Sequence, residues 1–138
     1  MKVLVVEDDP NLRALWGAVI EKAGYAARLV ETEAEAKAAL SGETFDLLLL
    51  DLLLGENNGI GVAAFAKQVN PTCSIVVVTG SSVYSKRELF SLAPSVWAVM
   101  RKPVDIEDII ALCSHVANGG GQVVIPDLGS GGAEFRPT

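Results

Sequence analysis

Cysteine and histidine are almost missing from this chain: Cys73, Cys113 and His115 are its whole complement. So little of either leaves no material for a disulfide framework or a Cys/His metal centre, and two reduced thiols serving as small hydrophobes is the simpler reading. His115 falls in an expected helix, where a packing or surface role fits better than catalysis. A basic surplus is also lacking. Lys and Arg number 11 against 17 Asp and Glu, for a formal net charge of −6, which argues against direct nucleic-acid binding. No apolar run approaches the ~20 residues of a membrane helix, and no leader pattern opens the sequence, so the expected location is the cytoplasm. What remains is ordinary for one folded domain: 138 residues, half of them apolar and a fifth charged, enough for a single sizeable core.

The stretch that organises the chain is Phe45 to Gly59, FDLLLLDLLLGENNG. Leu47 to Leu50 is an unbroken apolar run of the kind a parallel strand shows when both faces are buried. It ends in Asp51. An unpaired charge there would cost several kcal/mol, on the order of the desolvation penalty of a buried polar group, so the position calls for a function. In open α/β sheets, ligands sit at the carboxyl ends of strands.

Around this segment, strand and helix alternate. Lys2 to Val6 reads as a strand that stops at Glu7-Asp8-Asp9. Asp9 serves as an N-cap and Pro10 as the first helical residue, with Leu12, Leu15, Trp16, Val19 and Ile20 at helical spacing and Gly24 ending the unit. Trp16 on that stripe reads as core. Ala26 to Val30 is a second strand; Thr32 and Glu35 form a capping box for a helix through Leu40, broken by Ser41-Gly42-Glu43. After the central strand, Gly55, Asn57, Asn58 and Gly59 make a turn-rich loop into a helix over Ile60 to Val69. Ser74 to Val78 repeats the buried-strand signature and stops at Thr79-Gly80. A more polar helix is expected over Val83 to Leu92, a fifth strand over Val96 to Met100, and a last helix capped by Asp105 with Ile106, Ile109, Ile110 and Cys113 on one face. Residues 1–118 form the expected domain. From Gly119 to Thr138 the composition turns glycine-rich, which reads as a flexible tail whose Val123-Val124-Ile125 patch could dock. Five alternations argue for a parallel sheet covered by helices on both faces.

Four strand ends carry reactive residues: Glu7, Asp8 and Asp9, then Asp51, then Thr79, then Lys102. In a parallel sheet all of these lie at one rim. Several carboxylates in one crevice repel by roughly 4 kcal/mol per close pair at an effective dielectric near 20. Lys102 supplies one answering charge, and a hard divalent ion such as Mg²⁺, which favours one or two carboxylates with waters and a phosphate oxygen, would supply the rest. Such a set suits phosphoryl transfer to a free carboxylate, a reaction governed by charge neutralisation and in-line positioning.

The motifs VVEDDP (Val5 to Pro10), DLLLGENNG (Asp51 to Gly59), VVVTG (Val76 to Gly80) and RKP (Arg101 to Pro103) resemble, in order and spacing, the receiver domain of two-component response regulators, the chemotaxis-regulator type. The resemblance covers about residues 1–118. It implies a flavodoxin-like (βα)5 three-layer sandwich with a five-stranded parallel sheet of order 2-1-3-4-5, a topology for which the family is itself a standard example. It further implies that Asp51 is the phosphoacceptor, served by a histidine kinase or histidine phosphotransferase. Asp8, Asp51 and the backbone carbonyl of Leu53 would ligate Mg²⁺, with Glu7 acting through water. By the same resemblance Thr79 is the switch hydroxyl, Gly80 the small residue beside it and Lys102 the amine that pairs with the phosphoryl group. The Lys102-Pro103 bond is expected to be cis. The protein is then a signalling domain rather than an enzyme. Its phosphorylation would shift the packing of the fourth helix and fifth strand, around Val83 to Met100, and so change the face formed with the fifth helix that a downstream protein, or a second copy in a homodimer, reads.

Three positions depart from the family pattern. Val99 stands where an aromatic coupled to the switch hydroxyl is common, with Trp97 two residues earlier; Gly55 stands where proline is common; and Leu53 with Ser81 occupy the positions that tune hydrolysis. Rival readings fit less well. A haloacid dehalogenase-type phosphatase would place a second Asp where Leu53 stands, and a nucleotide-binding loop would be glycine-rich where this chain has Glu-Asp-Asp-Pro. A pseudo-receiver that takes no phosphate and acts as a protein-interaction module is the remaining alternative, and the intact acceptor, acid, hydroxyl and amine set argues against it.

Overall fold

A computed structural model describes residues 1–54, 57–80, 96–119 and 134–135. Its main sheet contains β1 (Lys2–Val6), β2 (Ala26–Val30), β3 (Leu47–Asp51), β6 (Ser74–Thr79), β7 (Ala98–Arg101) and a short β8 (Glu134–Phe135), in the order β2-β1-β3-β6-β7-β8. The first five pair in parallel and β8 joins antiparallel. Counting only the parallel strands, this is the expected 2-1-3-4-5 order. The helices are α1 (Pro10–Lys22), α2 (Glu33–Gly42), α3 (Ile60–Val69) and α4 (Ile106–Ala117). The helix expected over Val83 to Leu92, together with Gly55, Ser81 and the Val123-Val124-Ile125 patch, lies outside the described residues.

The alternation of side chains along each strand sorts the core into two layers. Leu4, Val6, Leu48, Leu50, Ile75, Val77 and Val99 face one side and pack on Ala36, Ala39 and Leu40 of α2 and Val62, Ala63 and Ala66 of α3. Val3, Val5, Leu47, Leu49, Val76, Val78, Ala98 and Met100 face the other and pack on Trp16 and Ile20 of α1 and Ile109, Leu112 and Cys113 of α4. The result is a helix–sheet–helix sandwich. Each buried leucine or valine contributes about 1.5–3 kcal/mol relative to exposure, and the buried stretches Val3–Val6, Leu47–Leu50 and Ile75–Val78 carry no polar residue before the rim.

Local signals set the helix ends. Asp9 accepts hydrogen bonds from the backbone N–H of Asn11 and Leu12 at 2.8 and 3.2 Å, with Pro10 in the first helical position. Gly24 follows the last turn of α1 at φ 99°, in the left-handed region that glycine enters without a Cβ clash. Thr32 accepts from the Glu35 N–H at 3.1 Å and donates to the Glu35 carboxylate at 3.0 Å, the expected box.

Several expectations need correction. Helix α2 continues to Gly42 rather than stopping at Leu40, with the Ser41 hydroxyl donating back to the Lys37 carbonyl at 2.9 Å. Asp105 occupies the N-cap of α4 but makes no side-chain cap bond; its backbone carbonyl accepts from Asp108 and Ile109 instead. The apolar stripe of α4 runs through Ile109, Leu112 and Cys113, while Ile106 and Ile110 are 44% and 40% exposed and Asp108 is buried beside Ile109, a rotation that helical spacing alone does not fix. The turn-rich loop after Asp51 contains a small hairpin, β4 (Leu53–Leu54) against β5 (Asn57–Asn58). Both cysteines are free and buried, and burial pushes the Cys73 and Cys113 thiols up to about 12 and about 11, into the inert range. No described helix is long and apolar enough to cross a membrane.

Candidate functional site

The parallel register brings the predicted residues to one rim. Val6 of β1 is level with Leu50 of β3, Asp51 with Val78 of β6, and Thr79 with Arg101 of β7. Glu7, Asp51, Thr79 and Lys102 therefore emerge side by side although up to 95 positions separate them in sequence. Glu7 is fully buried, Asp51 is 4% and Thr79 1% exposed. Asp8 is exposed and turns its carboxylate to the same place: one oxygen each from Glu7, Asp8 and Asp51 lie within 4.8 Å of one another.

Lys102 is the cation at the centre of this group. Its Nζ donates to Glu7 Oε1 at 2.7 Å and to Asp51 Oδ2 at 3.3 Å, and stands 5.9 Å from the centroid of the Trp16 ring. The backbone N–H of Lys102 donates to the Thr79 carbonyl at 2.9 Å, and the Lys102-Pro103 bond is cis, as expected. The electrostatics follow from burial. Desolvation, aided by the Asp51 carboxylate and opposed by Lys102, pushes Glu7 up from 4.5 to about 8. Burial pulls the Lys102 ammonium down, but its bond to Glu7 and the charge of Asp51 outweigh it and leave it above its usual value.

The site fits a hard divalent cation. Three carboxylates supply oxygen donors, and among the described residues Glu7 Oε2 is buried without a geometric hydrogen-bond partner, which is costly unless a cation, an ordered water or a proton on the carboxyl answers it. Glu7, Asp8 and Asp51 are the side chains that would hold it. The backbone of Leu53 lies in β4, two residues past Asp51.

Other residues support the site without having been legible as doing so. Arg13 donates from Nη1 to the Glu7 backbone carbonyl at 2.9 Å, pinning the acidic loop to α1. Gly59 is needed for close approach rather than for its backbone angle: a Cβ there would stand 2.7 Å from the Asp51 carbonyl oxygen and 3.0 Å from Leu50 Cγ. Gly59→Ala is expected to displace the loop beside Asp51 and to lower stability by about 1–3 kcal/mol, the usual cost of overpacking, seen as a fall in Tm. Gly80 behaves differently. Among the described residues a Cβ there meets only Lys102 side-chain carbons at 3.6 and 3.8 Å, ordinary contact, so Gly80→Ala should shift stability by no more than about 0.5 kcal/mol. Equal loss in the two variants would refute this distinction.

Val99 and Trp97 part company in the structure. Val99 is buried in the layer under α2 and α3. Trp97 packs on the opposite layer and stacks its ring on His115, centroids 5.6 Å apart and planes within 4°. His115 thus has the packing role expected of it. Trp97 does not take over the aromatic position that Val99 leaves empty.

Comparison with known proteins agrees with this geometry. Residues 3–114 match the family model described as "Response regulator receiver domain". The chain is 32% identical over 109 residues to the response regulator receiver protein CpdR of Brucella abortus, covering 79% of this chain and 90% of that one. It spans less than a third of the length of two other curated relatives it matches. Among solved structures, a CheY-like receiver domain protein from Methanospirillum hungatei superposes with a TM-score of 0.76 at 26% identity, covering 85% of this chain and 94% of that one. A Burkholderia pseudomallei response regulator, solved with a phosphorylated aspartic acid, calcium ion and citrate, gives 0.74 at 25% identity, covering 86% and 69%.

Proposed function

The chain belongs to the response regulator receiver domain family, a two-component signalling family with the flavodoxin-like fold, and from that premise we propose that Asp51 accepts a phosphoryl group from a phosphohistidine in a Mg²⁺-dependent step. The observation that carries this reading is the meeting of Glu7, Asp8, Asp51 and Lys102 at one rim. The related Burkholderia structure, with its phosphorylated aspartic acid and calcium ion, lends support.

In the proposed step an Asp51 carboxylate oxygen attacks phosphorus, forming the O–P bond of an acyl phosphate while the P–N bond to the donor imidazole breaks and its electron pair returns to nitrogen. A bound Mg²⁺ supplies neutralisation of the phosphoryl and carboxylate oxygens. Lys102, already within hydrogen-bond reach of Asp51, holds positive charge where the phosphoryl oxygens arrive. Thr79, at the end of the neighbouring strand, offers the hydroxyl for one of them. The buried setting of Asp51 limits competing water. The partner is a histidine kinase or histidine phosphotransferase, and the product state is read by a downstream protein on the β7 and α4 side of the fold. Since Val99 and Trp97 face opposite layers, that switch works without an aromatic rotamer at position 99.

Incubation with acetyl phosphate and Mg²⁺ should give a single phosphoryl adduct by intact mass that is absent in Asp51→Asn. An adduct surviving in Asp51→Asn would move the acceptor elsewhere, and no adduct in the wild type with any donor would favour a pseudo-receiver. Once formed, the adduct should decay over minutes, because an apolar Leu53 cannot orient a water by hydrogen bonding; a half-life of seconds would contradict this.

A further inference from the structure

The two edges of the main sheet are finished in different ways. On β2 the edge carries charge: Arg28 is exposed and its Nη1 lies 3.1 Å from Glu43 Oε1. Charged side chains on an edge strand discourage pairing with another chain. Among the described residues, β7 carries charge only at its last position, Arg101. Its sequence is Ala-Val-Met-Arg, with Ala98, Val99 and Met100 all buried, and a strand of that character is a template for strand addition. In this structure its outer side is taken by β8, which pairs Phe135 with Ala98 and Glu134 with Val99.

We infer that the segment around Glu134–Phe135 is a tethered, displaceable covering strand, and that the outer edge of β7 is a docking site for an extended peptide, which this segment fills in cis. Three considerations carry it. The pairing is antiparallel and two residues long, enough to answer the edge's backbone groups at Ala98 and Val99 but weak enough to give way to a longer strand. The intervening residues 120–133 number 14, a chain length that reaches up to ~46 Å at ~3.3 Å per residue, so one chain can supply both strands, and covalent connection makes a weak pairing intramolecular. The register also places the covering strand three residues upstream of Lys102, on the strand that delivers the site's cation. This proposal does not depend on phosphoryl acceptance by Asp51.

The test uses the full chain and a Glu134→Pro/Phe135→Pro double variant, which removes both N–H donors of β8. Residue-resolved amide exchange should show the outward amides of Ala98–Met100 at least about tenfold faster in the variant, because their pairing is lost. A fluorescent peptide of sequence SGGAEFRPT, residues 130–138, should bind the variant at least about tenfold more tightly than the wild type, whose edge is already filled. The same peptide with both prolines should bind neither. Unchanged exchange, or peptide binding that is equal or absent in both proteins, overturns the proposal. Protection that disappears on dilution of a dimeric wild type overturns closure in cis and assigns the strand to a second copy.

Discussion

Lys102→Ala is expected to slow phosphoryl acceptance about a hundredfold, the scale on which a single preorganised electrostatic stabiliser acts. It should also destabilise the protein in a pH-dependent way. The ammonium answers Glu7 at 2.7 Å and Asp51 at 3.3 Å, and removing one member of a buried ion pair commonly costs about 3–5 kcal/mol. Here the loss is smaller, because a quarter of the Lys102 side chain is exposed and because Glu7 can take a proton instead. Lys102 is what holds Glu7 down to about 8, so without it Glu7 keeps its proton to higher pH, and the fall of stability with pH that levels off above about 8 in wild type continues beyond that point in the variant. Thermal melts without Mg²⁺ should therefore show a larger Tm gap from wild type at the higher pH. Rates within about threefold of wild type at saturating Mg²⁺ would remove Lys102 from the phosphoryl site.

The second large effect is expected from Glu7→Gln. Glu7 in the folded protein titrates above its unfolded value of 4.5, at about 8, so between those values the folded state binds more protons than the unfolded one. Stability therefore falls as pH rises through that window and this contribution levels off above it. Gln keeps the shape and an acceptor for Lys102 but cannot ionise. The Tm difference between Glu7→Gln and wild type, both without divalent ions, should accordingly grow from near zero around pH 5 to at least about 4 °C in favour of the variant above pH 8, corresponding to about 1 kcal/mol for a domain of this size. Added Mg²⁺ should recover much of that difference for wild type, since a cation compensates the ionised carboxylates, and little for the variant. A difference curve flat from pH 5 to 9 would mean that Glu7 is already ionised without metal.

Both experiments bear on why a signalling site should store repulsion. Glu7 and Asp51 are buried together with Asp8 close by, an arrangement that is poor for stability and good for seizing positive charge. The fold tolerates it because the strands that end there are among the most completely apolar in the chain: β3 is buried along its whole length, and β1 after Lys2.

Much of this is legible in the sequence. The strands and helices announce themselves through buried runs, 3.6-residue spacing and caps at Asp9 and Thr32, all properties of short windows of chain. The rim assignment also needs only topology: in a parallel sheet, residues that follow strands share an edge, so Glu7, Asp51, Thr79 and Lys102 had to be neighbours. What the sequence leaves open depends on distances between segments remote along the chain. Helical spacing alone does not fix how far α4 is rotated, which is why Ile106 and Ile110, on the expected stripe, are exposed while Asp108 is covered. Nor could spacing reveal that Gly59 lies where any Cβ would meet the Asp51 carbonyl, that Arg13 reaches back to Glu7, or that Trp97 turns away from Val99 onto His115. The order of elements and the chemistry at their ends were written locally, because periodicity and capping act within a few residues. Which lysine oxygen distances are short, which edge is covered and which glycine is indispensable were decided only when the two apolar layers packed on the sheet and fixed how each segment stands against the others.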